Sequence, residues 1–414
     1  MHQKSKWTEK SSCRYHHHDV TSLCIDEVNE CVVIGGVDTR ITCQSLKEKS
    51  FEGRKHYSTV HLPSHKSIHV AHKSRMLLFQ SNQFVELYCL SNGVDQLSGF
   101  MEGDKIASDY SPIFQLRNKE REHIMSSAIS PEGNFLSFST LNKLSVFRFE
   151  LINGVTVNLK SVGSELLSNC SAMCMHFSKN AQGQNFLVFT NEKAQLHFFD
   201  LENEKMEKVL ELNLLVEASG NFKDHLGTTV KQMGVSSDGK WLFVCDISGN
   251  VLVFDFGTYE LYYKLTGEPE KELLHVSFNP HAQPNLLFLC FAPLSIMILD
   301  LSSKQFLPWK AGPNVSRALL NFKHVVTGLA FNPAFPEKLY WYGFEGFMGS
   351  LNFSPDHMDQ GCNLKVTGLE SEIYQGILDL TFLGPNEFSL ITRSWSEIVK
   401  DFPPSLERIT YRTA

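Results

Sequence analysis

The sequence predicts an all-β protein in which one kind of small sheet is repeated around a closed ring. Residues 230–256 read VKQMGVSSDGKWLFVCDISGNVLVFDF, three short apolar runs separated by two turns that contain Gly239 and Gly249. Glycine accepts the positive φ that tight turns need, and each apolar run has the length of a strand. One such sheet leaves two apolar faces open, so it needs similar sheets on both sides. We therefore expect the pattern to recur along the chain, as in a β-propeller.

Residues 230–256 also predict where the strands of one blade lie. Three strands are expected at 230–235, 240–245 and 251–256, and an outer fourth strand at 260–265. The third strand contains Phe254-Asp255, and an aromatic residue followed by Asp is typical of this place in a WD repeat.

The same order of strand, turn and strand recurs in seven other stretches. These stretches are residues 16–46, 68–90, 125–149, 172–201, 273–301, 325–353 and 376–399. Successive units start roughly 45–60 residues apart, slightly more than the ~40–45 of compact WD blades. A β-sandwich also has alternating strands, but eight similar units favour a WD-repeat β-propeller of seven or eight blades.

The expected domain organisation follows from these units. Residues 1–14 are a polar amino-terminal segment, residues 15–401 form the propeller, and residues 402–414 form a carboxy-terminal tail. Three weakly patterned stretches, at 91–121, 201–228 and 352–364, are interpreted as loops or blade connections. No apolar run approaches the ~18 residues of a membrane span, so we expect no membrane partner.

Composition narrows the classes of partner. The net charge of −7 argues against electrostatic binding of nucleic acid by the chain as a whole. The 31 phenylalanines fall mostly on predicted strands, which favours core packing over a stacking surface for bases. The cysteines form no C-x-x-C pair, and without a signal peptide we interpret them as reduced thiols of an intracellular protein.

No catalytic, cofactor-binding or metal-binding residue is predicted. The chain lacks a P-loop, a G-x-G-x-x-G motif and a G-x-S-x-G motif. His61, His65, His69 and His72 would share one face of a helix, where they could bind zinc. Pro63 and the strand that follows disfavour that helix, so a histidine-containing loop is the preferred interpretation. Cys170 and Cys174, four residues apart and also leading into a strand, are interpreted in the same way.

A structural pair is expected in the first unit. His16 precedes the first strand where WD repeats place a histidine, and Asp38 lies in the turn where they place an aspartate. We expect the two side chains to meet and to fix the edge loop of that blade.

Four tracts resemble a known family. YHHHDVTSLCIDEVNECVVIGGVDTRITCQSL, RMLLFQSNQFVELYCLSNG, VSSDGKWLF and ILDLTFLGPNEFSLITRSWSEIVKDFPPSLERI are similar, in this order, to the second propeller of the cirhin family. The order of the tracts and the ending SWSEIVKDFPP at 394–404 are the more specific signals. The family carries two tandem propellers in a longer chain and often ends in a basic tail, whereas this chain ends LERITYRTA.

The resemblance implies a function. It implies a non-catalytic scaffold in the nucleolus, within the UtpA (t-UTP) subcomplex of the small-subunit processome. The implied partners are other UtpA proteins and pre-ribosomal RNA, bound directly or through the complex, with no cofactor and no small-molecule substrate.

Two other functions stay open. The first is a WD-repeat adaptor in another complex, such as a ubiquitin-ligase substrate receptor. The second is a propeller enzyme, which would need a polar, acidic or histidine-lined channel. The sequence shows no concentrated set of residues for such a channel.

Overall fold

The structure is a computed structural model of the 414-residue chain. It describes residues 20–27, 31–36, 40–45, 57–61, 66–89, 112–118, 122–152, 156–180, 182–212, 229–267, 272–281, 283–292, 294–307, 326–343, 347–352, 365–368, 376–384 and 387–393. The chain divides into two compact units, residues 1–63 with 220–225 and residues 64–219 with 226–414.

The described residues of the first unit form one antiparallel sheet, which we call the leading sheet. Its strands, in spatial order, are β1 Val20–Asp26, β2 Cys31–Gly36, β3 Arg40–Ser45 and β4 Tyr57–His61. Leu23 and Ile25 on β1 are 61% and 59% exposed, so this sheet does not bury its first strand within its own unit.

The second unit contains seven antiparallel sheets among its described residues, which we number 1 to 7. Sheets 1 to 3 are β5 Ile68–Ala71, β6 Met76–Gln80, β7 Phe84–Cys89, β8 Phe114–Arg117; β9 Ser126–Ile129, β10 Phe135–Ser139, β11 Leu144–Ile152, β12 Thr156–Ser161; and β13 Cys174–Lys179, β14 Asn185–Thr190, β15 Gln195–Asp200, β16 Lys205–Glu211. Sheets 4 and 5 are β17 Val230–Val235, β18 Trp241–Asp246, β19 Val251–Asp255, β20 Glu260–Leu265; and β21 Leu273–Phe278, β22 Leu286–Phe291, β23 Ser295–Asp300, β24 Gln305–Phe306. Sheets 6 and 7 are β25 Val326–Asn332, β26 Phe335–Gly343, β27 Phe347–Asn352, β28 Lys365–Gly368; and β29 Gly376–Gly384, β30 Glu387–Arg393.

The first strands of these seven sheets form a closed ring. Each of β5, β9, β13, β17, β21 and β25 contacts the first strand of the next sheet, and β29 contacts β5 again. The strands within each sheet pair antiparallel and in sequence order. The predicted β-propeller is therefore confirmed, and the described ring has seven sheets.

The core of the ring lies between neighbouring sheets. Six clusters of buried apolar residues each join two consecutive sheets, from sheets 1 and 2 to sheets 6 and 7. Phe186, Phe198 and Phe256, for example, pack between sheets 3 and 4 with ring centroids 5.6 Å apart in two of the pairs. The prediction that the phenylalanines pack in the core is correct for this cluster.

Repeated turns explain why the sheets have the same shape. Asp200, Asp255 and Asp300 end the third strands of three successive sheets, and each carboxylate accepts a main-chain N–H two residues ahead, at 2.9 Å. Four residues after each Asp the chain adopts positive φ, at Glu204, Tyr259 and Lys304. The aromatic-Asp motif therefore acts through a turn that starts the outer strand.

The strands predicted for residues 230–265 are confirmed, with small shifts in their bounds. Leu242 pairs with Phe254 across the predicted turn, and Gly249 has a φ of 85°. The interpretation of 91–121 and 201–228 as loops is wrong in part, because β8 and β16 lie within them. These are outer strands with one open edge, and β16 is largely exposed, so they lack the apolar alternation that marks a buried strand.

The described residues contain little helix. The α-helix α1, Ser164–Leu167, connects sheets 2 and 3. Across the described ranges, the chain has no helix with the length and apolar character that a membrane crossing needs. The expected limits of the propeller (15–401) and of the tail (402–414) fall on residues outside these ranges and stay predictions.

Candidate functional site

The candidate site is the channel that the seven first strands surround. Three histidines lie on these strands at sheets 1, 3 and 5, and two more lie in the turns that follow β5 and β21. They are His69, His176 and His275 on strands, and His72 and His281 in turns. The three histidines on strands are half-buried.

Lys66 affects the pKa of several of these histidines. Burial, the Lys66 ammonium and His176 together lower the pKa of His69 to about 3. Burial and Lys66 together lower the pKa of His176 to about 4. The pKa of His275 falls to about 3 through burial, Lys231 and Lys66. The Lys66 ammonium therefore contributes to the electrostatic environment of side chains from three sheets.

His72 and His281 meet although they belong to sheets 1 and 5. Their ring centroids are 5.7 Å apart, and the planes cross at 83°, an edge-to-face contact. Burial, the neighbouring His281 and Lys66 together lower the pKa of His72 to about 4. This contact joins two turns that are not neighbours around the ring.

Gln232 fixes the orientation and the tautomer of His275. The Gln232 carbonyl accepts the Val276 N–H at 2.8 Å, so its amide nitrogen points toward the imidazole. That nitrogen lies 2.5 Å from His275 Nδ1 and can only donate. His275 Nδ1 is therefore the acceptor, and the ring proton is on Nε2.

The position of Gln232 recurs around the ring. In β17, β21, β25 and β29, one residue near the start of the strand is left out of the pairing with the second strand of the sheet. The next residues that pair are Gln232, His275, Gly328 and Asp379. Gln232 reaches the first strand of the next sheet. Asp379 does the same, since it accepts the N–H groups of Ser67 and Ile68 at 2.9 Å each. At two of these four equivalent positions, the side chain therefore bonds to the next sheet around the ring.

Asp379 is the buried carboxylate of this set. Its second oxygen accepts the Tyr342 hydroxyl at 3.0 Å, and its residue is 2% exposed. Burial raises the pKa of Asp379 above its usual value, although Lys66 and these hydrogen bonds act in the opposite direction. Tyr342 is also buried, and its pKa is raised well above 10. The arrangement closes the ring between sheets 7 and 1.

Cys174 makes an equivalent contact from sheet 3 to sheet 4. Its thiol lies 3.7 Å from the Val230 carbonyl and 3.6 Å from the Lys231 carbonyl, to which it donates. Burial raises the pKa of Cys174 to about 12, so the thiol is protonated and poorly nucleophilic. Cys170, which follows α1, donates to the Leu166 carbonyl at 3.5 Å. Both cysteines therefore have structural contacts.

The structure describes the side chains of two of the four histidines that the sequence grouped, His69 and His72. His69 lies on β5 and His72 in the turn after it. His61 belongs to β4 of the other unit, where its side chain is outside the described residues, and His65 is also outside them. His16 and Asp38 lie outside the described residues too, so their pairing stays a prediction. Within the residues that the structure describes, His, Cys, Asp and Glu form no group of three or more that could hold a metal ion.

Sequence reasoning considered His69 and His72 but not Lys66, His176, His275 or His281. The pKa shifts and the contact between His72 and His281 relate segments about 100 or more residues apart, which no single stretch of sequence shows. Comparing the first strands of the units would have found His69, His176 and His275 as the histidines on those strands.

Comparison with known proteins shows which sequences this chain is similar to. No protein-family model matches this chain. The U3 small nucleolar RNA-associated protein 4 homolog of Mus musculus is 21% identical over 446 residues, covering 99% of this chain and 60% of the relative. U3 small nucleolar RNA-associated protein 4 of Schizosaccharomyces pombe is 20% identical, covering 74% of this chain and 41% of the relative.

A third relative agrees with the first two. The U3 small nucleolar RNA-associated protein 4 homolog of Homo sapiens is 23% identical, covering 74% of this chain and 42% of the relative. This chain thus spans between 41% and 60% of the length of the three relatives. The similarity supports a place for this chain among proteins like U3 small nucleolar RNA-associated protein 4, in agreement with its resemblance to the cirhin family.

Proposed function

We propose that this chain is a non-catalytic WD-repeat scaffold in nucleolar ribosome biogenesis, acting in the small-subunit processome. The observation that carries the proposal is the similarity to U3 small nucleolar RNA-associated protein 4 homologs, which extends over 99% of the chain in one of them. The partners proposed are other UtpA proteins and pre-ribosomal RNA, reached directly or through the complex. The proposed location is the nucleolus.

The closed ring supports a mechanism based on geometry. A ring of seven sheets holds its turns and outer strands in fixed positions, so several weak contacts form together. Linked weak contacts give an avidity well above that of each contact alone. Desolvation raises the pKa values of Cys174, Cys245 and Cys290 to about 12, so these thiols are protonated and poorly nucleophilic, which is in keeping with a non-catalytic role.

Affinity purification tests the proposal. The tagged protein, expressed at its natural full length, is recovered from cell extract at low salt, and the associated RNA and proteins are identified. We expect U3 small nucleolar RNA, pre-ribosomal RNA and processome proteins, and depletion of the protein should lower small-subunit ribosomal RNA while sparing the large subunit. Recovery of a ubiquitin-ligase core instead, by a folded chain, would support the adaptor function and exclude this one.

Charge reversal on the outer strands makes the test more specific. Lys160 on β12 and Lys208 on β16 are exposed, and Lys264 on β20 is half-buried. A scaffold that binds through several blades should lose partners when all three become Glu. The matched control replaces the same lysines with Arg, which keeps the charge and should keep the partners. Equal recovery by the Glu and Arg variants would show that these outer strands are not part of the binding surface.

A further inference from the structure

Sheet 7 has an open edge at a place where the other sheets of the ring are paired. The second strands of sheets 1 to 6 each pair with a strand on both edges, as β18 does with β17 and β19. Among the described residues, β30 pairs only with β29. The backbone N–H and C=O groups along an open strand edge are a template for pairing with another strand.

The side chains beside this edge are only partly covered. Phe388 on β30 is 52% exposed, although it contacts Phe382 with ring centroids 6.3 Å apart. Leu390, two residues further along the same face, packs against the apolar cluster that joins sheets 6 and 7. The apolar face that packs on sheet 6 therefore ends at β30 with an aromatic ring in solvent.

A second incomplete surface lies on sheet 1, on the side that faces sheet 7. Val85 and Leu87 on β7 pack toward sheet 2, so the alternating Phe84, Glu86 and Tyr88 point the opposite way, and all three are half-buried. Apolar clusters join every other pair of neighbouring sheets. Within the described part of the chain, no such cluster joins sheet 7 to sheet 1.

Residues 406–412 have the sequence pattern of a strand that fits this place. They read LERITYR, in which Ile409 and Tyr411 alternate with polar or charged residues. Isoleucine, threonine and tyrosine favour strands, and the stretch has the same number of residues as β30. Residues 394–405 lie between the two stretches, which is more than a hairpin connection needs for an antiparallel return.

We propose that residues 406–412 add to the open edge of β30 as the third strand of sheet 7. The antiparallel register that places Ile409 opposite Leu390 also places Tyr411 opposite Phe388. These two apolar pairs continue the face that packs on sheet 6, and directly opposite apolar residues stabilise an antiparallel pair. A shift of one residue would turn Ile409 and Tyr411 to the other face of the sheet, which selects this register.

The other face of the added strand fits the uncovered side of sheet 1. Arg408 and Arg412 alternate with the apolar residues, so this register turns them toward sheet 1. Glu86 presents a half-buried carboxylate there, and carboxylates pair strongly with guanidinium groups. Arg117 lies on the same side, 5.6 Å from the centroid of the Phe84 ring, so this surface already accommodates a guanidinium. The proposal assigns residues 406–412 to the propeller and does not depend on the proposed scaffold function.

Cysteine cross-linking in the full 414-residue chain tests the register. The pair Phe388→Cys and Tyr411→Cys should form a disulfide within one chain under mild oxidation, because opposite residues of antiparallel strands have the separation that the bond needs. The matched pair Phe388→Cys and Thr410→Cys places the thiols on opposite faces and should not. Peptide mass spectrometry distinguishes these bonds from any that involve the native cysteines. Equal cross-linking of the two pairs, no cross-link in the first pair, or a bond that joins two chains would overturn the proposal.

Hydrogen exchange tests the pairing without new cysteines. The β30 amides that point away from β29 should exchange slowly in the full chain, and at least roughly tenfold faster once residues 405–414 are removed. Removal of residues 413 and 414 alone, outside the proposed pairs, should leave this exchange unchanged. Rapid exchange of these amides in the full chain would overturn the proposal. Protection that rises with protein concentration would also overturn it, because the open edge would then pair with a second copy.

Discussion

The Asp379 carboxylate accepts the main-chain N–H of Ile68 at 2.9 Å, across 311 residues of sequence. The same oxygen accepts the N–H of Ser67, so the last described sheet of the ring is fixed to the first by one side chain. Ring closure is therefore sensitive to a single buried carboxylate.

Removing Asp379 should destabilise the ring more than removing one of its partners. Asp379→Ala leaves two N–H groups and the Tyr342 hydroxyl without an acceptor, and we expect a loss of about 3 kcal/mol in the free energy of unfolding. Tyr342→Phe removes one of the three bonds and should lower stability by about 1 kcal/mol. Urea denaturation measures both, and hydrogen exchange at the Ile68 amide should accelerate in Asp379→Ala.

A control variant distinguishes the loss of the hydrogen bonds that close the ring from a general effect of removing a carboxylate. Glu207 forms a surface ion pair with Lys205 at 2.8 Å, and Glu207→Ala should change stability by less than about 0.5 kcal/mol. Equal stability of Asp379→Ala and Glu207→Ala would show that the buried bonds do not hold the ring closed.

Two glycines in equivalent turns provide a matched pair. Gly239 and Gly183 both adopt positive φ, at 70° and 83°, and each donates its N–H to the residue three positions earlier at 2.9 Å. A Cβ at Gly183 meets nothing within 4 Å, whereas a Cβ at Gly239 would lie 2.1 Å from the Lys179 carbonyl oxygen of the neighbouring sheet.

Alanine at these two positions should therefore have unequal effects. Gly183→Ala should cost about 1 kcal/mol, which reflects backbone strain alone. Gly239→Ala adds a clash between sheets and should cost roughly 3 kcal/mol in total. Thermal unfolding of the two variants measures the difference, and equal melting temperatures would show that sheets 3 and 4 are not packed as described.

The sequence was sufficient to predict the repeated sheet but not the channel. Strands and turns in residues 230–265 depend on local patterns, such as Gly249 in a turn and Asp255 after an aromatic residue, and these patterns are visible in one short stretch. The pKa shifts to which Lys66 contributes depend on which strands meet at the centre, a property of the closed ring. For the same reason, Asp379 was not distinguished from other acidic residues before its partners were known.

The reactivity of the cysteines should follow burial. Cys24 and Cys89 are exposed, whereas Cys245 and Cys290 are buried with pKa values raised to about 12. Because the thiolate is the reactive form, an alkylating reagent at pH 8 should modify Cys89 within minutes and leave Cys245 and Cys290 unmodified until the protein unfolds. Mass spectrometry of peptides resolves each site, and the same reagent in denaturant is the control. Fast modification of Cys290 in the native protein would contradict its position in the core between sheets 5 and 6.

The channel histidines should make stability fall as the pH is lowered below 6.5. Their folded pKa values, about 3 for His69 and His275 and about 4 for His176, lie below the unfolded value of 6.5. The unfolded chain therefore binds more protons in this window, and the stability that is fully present above pH 6.5 is lost as the pH falls toward 4. The slope should approach about 1.4 kcal/mol per pH unit for each histidine that stays neutral in the fold.

The slope can be assigned by substitution. His69→Gln and His176→Gln should each flatten the decline in stability between pH 6.5 and pH 5, whereas His123→Gln, outside the channel group, should not. Asp379 acts in the opposite direction. Its pKa is raised in the folded protein, so the folded state binds the proton more tightly than the unfolded chain does. Its contribution to stability therefore increases as the pH falls from its raised folded pKa toward 3.8. A melting temperature that is constant from pH 7 to pH 5 would contradict the lowered pKa values of these histidines in the folded protein.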